Sequence, residues 1–155
     1  NLGDALFAAA QHWGVSLHTN KGLAGAPAEA VADARNTAMH SAVLDAFALL
    51  ISGAEGPPAY PGIAGHEPDV PTARREAEAV DRAINEVRKR VPTLGSYMAE
   101  GNFFDAAWQR SFWGPNYQRL LAVKDKYDPD GLFFVHHGVG SERWSADGFT
   151  RLAVR

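Results

Sequence analysis

The chain has 155 residues, 46% of them hydrophobic, about the size of one ordinary domain and apolar enough to build a core, which excludes a disordered tail. With 18 acidic against 15 basic residues the formal net charge is −3, a balance that offers no field for nucleic acid or an anionic lipid surface. There is no cysteine, which removes disulfides, thiolate metal sites and cysteine nucleophiles and leaves compartment and localisation open, and no apolar run approaches the ~20 residues of a membrane span.

Asn1-Leu2-Gly3-Asp4 has neither an initiator Met nor signal-peptide character and leads at once into apolar positions at helix spacing, so it reads as a chain cut from something longer. That spacing predicts a helix over 2–13 closed by Gly14, and the alternation of Val15 to Thr19 predicts a half-buried strand. Lys21 to Gly25 is a glycine-punctuated turn, and Pro27 opens a helix running to about Met39. Val43 to Ile51, apolar except for Asp45, is expected to be a buried central strand. Residues 53–68 hold four of the nine prolines with Gly56, Gly62 and Gly65, which predicts a long irregular loop at the rim of a cleft or against another chain.

Asp69 can cap the next helix and Pro71 suits its first turn, while Ala73, Ala77, Val80, Ile84, Val87 and Val91 recur at steps of three and four. Glu78/Arg82 and Glu86/Arg90 are helix neighbours on a solvated face, and Pro92 ends the run. Leu94 to Ala99 is expected to be a short strand, Asn102 the cap of a helix with Trp108 and Phe112, and Gly114-Pro115 the break before a helix with Tyr117, Leu120, Leu121 and Lys124 on one side. Asp128-Pro129-Asp130-Gly131 is a stop and turn before the apolar Leu132-Phe133-Phe134-Val135. Helices and strands alternate without βαβ spacing, so the fold class is α+β.

Several motifs fail on inspection. In a dinucleotide loop begun by Gly138-Val139-Gly140 the third glycine would fall on Arg143, there is no Walker A sequence, and Ser141 lacks the flanks of a nucleophile elbow. His136 and His137 are adjacent, which on extended backbone sends their rings to opposite faces, and no further ligand stands at helical metal-site spacing. The aromatic residues of 103–113 form either core or a stacking surface for a flat ligand.

Three runs then stand out together: Gly95-Ser96-Tyr97-Met98-Ala99-Glu100-Gly101-Asn102-Phe103-Phe104, then Trp108-Gln109 through Gly114-Pro115-Asn116-Tyr117-Gln118-Arg119-Leu120, then Val123-Lys124-Asp125-Lys126-Tyr127-Asp128-Pro129 to Phe133. In order and spacing they resemble the C-terminal segment of berberine bridge enzyme-like FAD-linked oxidases, and Val139-Gly140-Ser141-Glu142 with Trp144 extends the likeness. The resemblance is strong over the last 60 or so residues and looser upstream, at Lys21 to Ala26 and Asp45 to Leu49. It implies the fold of vanillyl-alcohol oxidases. Residues 1–92 would be the end of an antiparallel-sheet substrate domain with covering helices, and 93–155 the helical segment that returns to the FAD-binding domain. The FAD-binding half would be the missing partner, in the same protein or in a second chain.

The same resemblance implies roles. Tyr97 matches the tyrosine of a Tyr-x-Asn motif that sits over the flavin and helps take the proton of the substrate hydroxyl, and phenols ionise near pH ~10, so a cation or fixed dipoles would have to lie close by. The Asn of that motif is Ala99 here, and the family's acidic or amide partner falls within Ala48 to Ile51, all apolar. Asn116 and Tyr117 match an Asn–aromatic pair near the cofactor, with capping and packing of their own helix as the alternative. The implied function is oxidation of a small alcohol or sugar hydroxyl by hydride transfer to FAD, with oxygen as acceptor. Its rivals are a flavin dehydrogenase, a carbon–carbon bond-forming oxidase of secondary metabolism, and a non-catalytic binding module.

Overall fold

A computed structural model describes residues 1–19, 23–91 and 95–153. The chain divides into two compact units, Asn1–Lys21 with Phe47–Thr93 and Gly22–Ala46 with Leu94–Arg155.

In the first unit, helix α1 (Leu2–Ala10) begins in a capping box: the Asn1 side chain accepts from the Asp4 backbone N–H at 3.0 Å while the Asp4 carboxylate takes up the Asn1 amino group. Helix α3 (Val70–Arg88) starts where the sequence predicts, with Asp69 accepting from the Thr72 N–H at 3.0 Å and Pro71 in the first turn, where no intrahelical N–H is needed. Glu78 pairs with Arg82 on α3, and Glu86 with Arg90 just past its end. The two helices pack through small residues: Ala5 and Ala9 are buried on α1, and Ala79, Ala83 and Val87 on α3. Trp13, Val15, Leu50 and Val91 close this core, and the Trp13 indole donates to the Gly53 carbonyl at 2.8 Å.

The sheet has two strands, β1 (Ser16–His18) and β2 (Leu49–Ile51), antiparallel with Leu17 opposite Leu50. All three residues of β1 are exposed, so its predicted half-buried face is supplied by the neighbouring Val15 instead. The predicted central strand over Val43–Ile51 is corrected: the chain first winds into a 3₁₀ turn (Ser41–Leu44), and only Leu49–Ile51 is extended. Two contacts decide this. The His40 ring caps the turn by accepting from the Ala42 N–H, and Asp45, the one charge in the run, is held by both guanidinium nitrogens of Arg35. Residues 53–68 form no helix or strand, yet the loop is closed on itself where the Tyr60 N–H meets the His66 carbonyl at 2.6 Å.

In the second unit, helix α2 (Ala28–Arg35) stops short of Met39. The carbonyls of Thr37 and Met39, which a longer helix would have turned along its axis, are taken by side chains 77 to 82 residues away, those of Asn116 and Arg119. Lys21, Gly22, Pro92 and Leu94, on which parts of the predicted turn, helix stop and strand fall, lie outside the described residues. The described part of the predicted 94–99 strand joins no sheet, although Tyr97 is extended, and it ends in a 3₁₀ turn (Met98–Glu100). Asn102 caps no helix: its side chain accepts from the Phe104 N–H, closing a local turn, and winding resumes only in a π-helical turn (Gln109–Trp113). Gly114 at φ +54° breaks that turn, a 3₁₀ turn (Gly114–Asn116) follows, and helix α4 (Tyr117–Tyr127) runs to the predicted stop. There the Asp128 carboxylate collects the Leu132 and Phe133 N–H groups and the Lys124 ammonium. The core of this unit is Trp108, Phe112 and Tyr117, flanked by Trp113, Leu121 and Val139.

Candidate functional site

Tyr97, Asn116 and Tyr117 all lie in the second unit, and their environments differ. Tyr97 precedes the 3₁₀ turn at Met98; its side chain is 49% exposed and its hydroxyl has no hydrogen-bond partner among the described residues. Its loop is anchored on both sides of it. The Ser96 N–H donates to the Ser111 carbonyl at 2.7 Å, and Gly101 lies so close to the Phe112 ring that a Cβ there would collide with it.

Asn116 faces the other way. Its amide donates to the Thr37 and Met39 carbonyls at 3.2 and 2.9 Å, and Arg119, one turn on, donates to the same Thr37 carbonyl at 2.8 Å. Tyr117 is buried in the core, edge-on to Trp108. Its hydroxyl lies 2.6 Å from both carboxylate oxygens of Glu142, to which it donates, and accepts from the Gly140 N–H at 3.3 Å. Burial, then the bond to Glu142, push this phenol above the ordinary tyrosine range, so it remains a proton donor throughout the neutral range. The polar atoms of Asn116 and Tyr117 thus bind their own chain, and neither shares a partner with Tyr97. The loop carrying Tyr97 and the ring of Tyr117 meet the same aromatic core, through Phe112 and Trp108.

The structure adds a feature that the sequence places elsewhere. His137 has φ +59°, the one non-glycine residue with positive φ among those described, and this turns its ring onto that of His136, with centroids 3.8 Å apart. The expectation of opposite faces assumed extended backbone and is corrected. Histidine before a glycine is the available sequence signal, since His is among the residues enriched in the left-handed region. Phe103 stacks on the outer face of His136 at 4.0 Å, Trp108 stacks with His137 at 5.3 Å, and the His136 Nε2–H donates to the Phe103 carbonyl at 3.0 Å.

A small pocket in this unit measures about 150 Å³ and is lined by Lys124, Phe133 to Val135, Gly138 to Ser141 and Trp144. Among the described residues no group of three His, Asp or Glu side chains is placed to hold a metal ion, and no helix is long and apolar enough to cross a membrane.

An α+β architecture with a small antiparallel sheet and a helical C-terminal segment is that of the vanillyl-alcohol oxidase-type flavoproteins. It matches the crystal structure of the VAO-type flavoprotein MtVAO713 from Myceliophthora thermophila with a TM-score of 0.67 and 26% identity, over 92% of this chain and 24% of that one. Residues 85–140 match the family described as berberine and berberine like. The VAO-type flavoprotein oxidase VAO615 of Thermothelomyces thermophilus is 55% identical over 80 residues, 52% of this chain and 14% of that protein. An FAD-linked oxidoreductase of Arthroderma benhamiae is 48% identical over 60 residues, 39% of this chain and 10% of that protein. The likeness to the berberine family is thus carried by residues 85–140, and the fold likeness by nearly all of the chain. What it matches is a small share of each relative's length.

Proposed function

We propose that the chain is the C-terminal part of an FAD-dependent oxidoreductase that oxidises an alcohol or sugar hydroxyl, with oxygen as the final acceptor. The observation that carries this reading is Tyr97: in a berberine-like segment whose other motif side chains are bound internally, its phenol is half-exposed and uncommitted. On this reading the Tyr97 hydroxyl and the exposed Phe103 and Phe104 rings would be offered to one side of a flavin, and a pocket of about 150 Å³ elsewhere in the unit is too small to enclose the cofactor. Holding the pyrophosphate and most of the ring system falls to residues beyond this chain. Residues 1–92 then belong to the substrate domain and 93–155 to the segment that packs on the FAD domain, where the exposed Leu132, Phe133 and Phe149 supply apolar surface for that contact.

Bound FAD would supply the hydride-accepting chemistry. The chain's part is to take the hydroxyl proton at the Tyr97 oxygen in its phenolate form, stabilised by a cation or fixed dipoles from the rest of the protein, which raises electron density on the carbon that loses the hydride. Asn116 and Tyr117 serve the cofactor side by fixing backbone, Asn116 at residues 37–39 and Tyr117 at the Gly140–Glu142 turn.

Tyr97→Phe tests this directly, because it keeps the ring and removes the proton acceptor. In the full-length flavoprotein the rate of flavin reduction in anaerobic stopped-flow should fall by about 10²–10⁴-fold while flavin content is unchanged. Reduction within about threefold of the parent would show that Tyr97 is not the base. A colourless protein at full occupancy would favour the non-catalytic module.

A further inference from the structure

We propose that His136 and His137 are positioning residues for the loop that carries Tyr97, and that their hold on it weakens when His137 is protonated. The importance of that loop for catalysis rests on the reading of Tyr97 above; the hold itself does not. The loop runs from Gly95 to Asp105. Two of its anchors, Ser96 on the Ser111 carbonyl and Gly101 against Phe112, contain no titratable group. The third anchor is Phe103, and His136 grips it twice, through the stacked rings and through the Nε2–H bond to its carbonyl. Behind His136 stands His137, and behind His137 stands Trp108 of the buried core, so that four rings in series connect the loop to the interior.

This series exists only because His137 adopts positive φ. Successive side chains of an extended strand point apart, and the left-handed backbone at His137 is what brings its ring onto that of its neighbour. Sparsely populated backbone of this kind persists where the surroundings over-determine it, and it concentrates at sites with a task.

The stack favours a neutral His137, whose ring is packed between Trp108 and the His136 ring with centroids 5.3 and 3.8 Å away. Burial, and then the neighbouring His136, depress the His137 basicity, while Asp105 opposes the shift only in part. A histidine whose folded-state pKa is depressed favours the folded arrangement above the ordinary imidazole value of about 6.5 and loses that contribution as pH falls below it. The hold is therefore present at neutral pH and weakened in acid.

Amide hydrogen exchange of residues 97–105 in the full-length protein, corrected for the intrinsic pH dependence of exchange, reads the hold without reference to activity. In the parent, exchange should rise about tenfold between pH 7.5 and 5.0. His136→Gln retains an N–H donor for the Phe103 carbonyl but breaks the ring series between His137 and Phe103, so protonation of His137 no longer reaches the loop and its protection should stay within about twofold across that range. His137→Asn accepts the backbone conformation but lacks the ring, and should exchange about tenfold faster than the parent at pH 7.5 with no further response to acid. Parent exchange that is flat with pH, or an unaltered pH response in His136→Gln, would overturn the proposal. If these exchange patterns hold while Tyr97→Phe leaves flavin reduction unchanged, the positioning stands and the assignment of Tyr97 as the base falls.

Discussion

Replacing Tyr117 by Phe removes one oxygen from the centre of the second unit and leaves the ring, so its effect isolates a single buried hydroxyl. Tyr117 is 7% exposed, and its hydroxyl makes two kinds of bond: it donates to Glu142 at 2.6 Å and accepts from Gly140 at 3.3 Å. A hydrogen bond to a charged acceptor contributes about 1.5–3 kcal/mol, but Glu142 is exposed and water recovers part of this. The Gly140 N–H belongs to a buried residue and loses its acceptor, a cost of about 1–3 kcal/mol that the length of this bond places at the low end. The sum is about 2 kcal/mol, and at ~1.4 kcal/mol per tenfold it corresponds to roughly 30-fold faster exchange of the amides between Gly138 and Trp144, whose bonds to the Gly138, Gly140 and Ser141 carbonyls shape this turn. Glu142→Gln keeps a neutral acceptor and should cost about half as much. The pH dependence has a definite sign. The folded protein favours the neutral phenol, so the contribution is complete below the ordinary tyrosine value of about 10 and is lost as pH rises beyond it, and the Phe variant should lack this alkaline loss. A change of less than threefold in exchange at neutral pH would mean that the Glu142–Tyr117 contact does not hold the turn.

Two further substitutions probe other joints. Gly114→Ala places a Cβ 2.6 Å from the His40 Nε2 on backbone at φ +54°, so a loss of about 2–3 kcal/mol is expected by denaturant titration of the full-length protein, and a loss below about 0.5 kcal/mol would show that the ring moves aside freely. Asp69→Ala removes the cap of α3 and should speed exchange in its first turn several-fold at neutral pH. Hydrogen bonds from Thr72 hold the Asp69 carboxyl below the ordinary carboxylate range, so this difference from the parent should fade as pH falls below about 4.

Where local chemistry decides conformation, the sequence is a faithful guide. Helix α3 is announced by Asp69, Pro71 and an unbroken apolar period, the end of α4 by Asp128-Pro129-Asp130-Gly131, and the irregular loop over 53–68 by its prolines and glycines. Where distant groups decide, it misleads. The early end of α2 depends on Asn116 and Arg119, which lie some eighty residues away. Val43 to Ile51 has strand composition throughout, yet the cap from His40 and the pairing of Arg35 with Asp45 wind its first half into a turn. Of the candidate site, the family resemblance proposes Tyr97, Asn116 and Tyr117 but does not tell a free hydroxyl from a committed one; that distinction lies in Glu142 and in the carbonyls of residues 37 and 39. The histidine pair is hidden for a related reason, because its geometry hangs on one positive φ.

With Tyr97 as the base proposed above, these placements bear on how a base on a loop can be held accurately. A group that takes a proton in a transition state must be fixed within about half an ångström, and an exposed loop does not supply that by itself. Here α4 is tied on one side to residues 37–39 by Asn116 and on the other to the Gly140 turn by Tyr117, and Trp108 packs edge-on against the Tyr117 ring. From Trp108 the series His137, His136 and Phe103 leads out to the loop of Tyr97. Asn116 and Tyr117 would therefore affect the reaction by keeping that series in register, without touching the cofactor. Their loss should lower the rate of flavin reduction through the pose of Tyr97, and the double variant with Tyr97→Phe should be little worse than Tyr97→Phe alone, whereas an independent contact with the cofactor would make the two effects multiply.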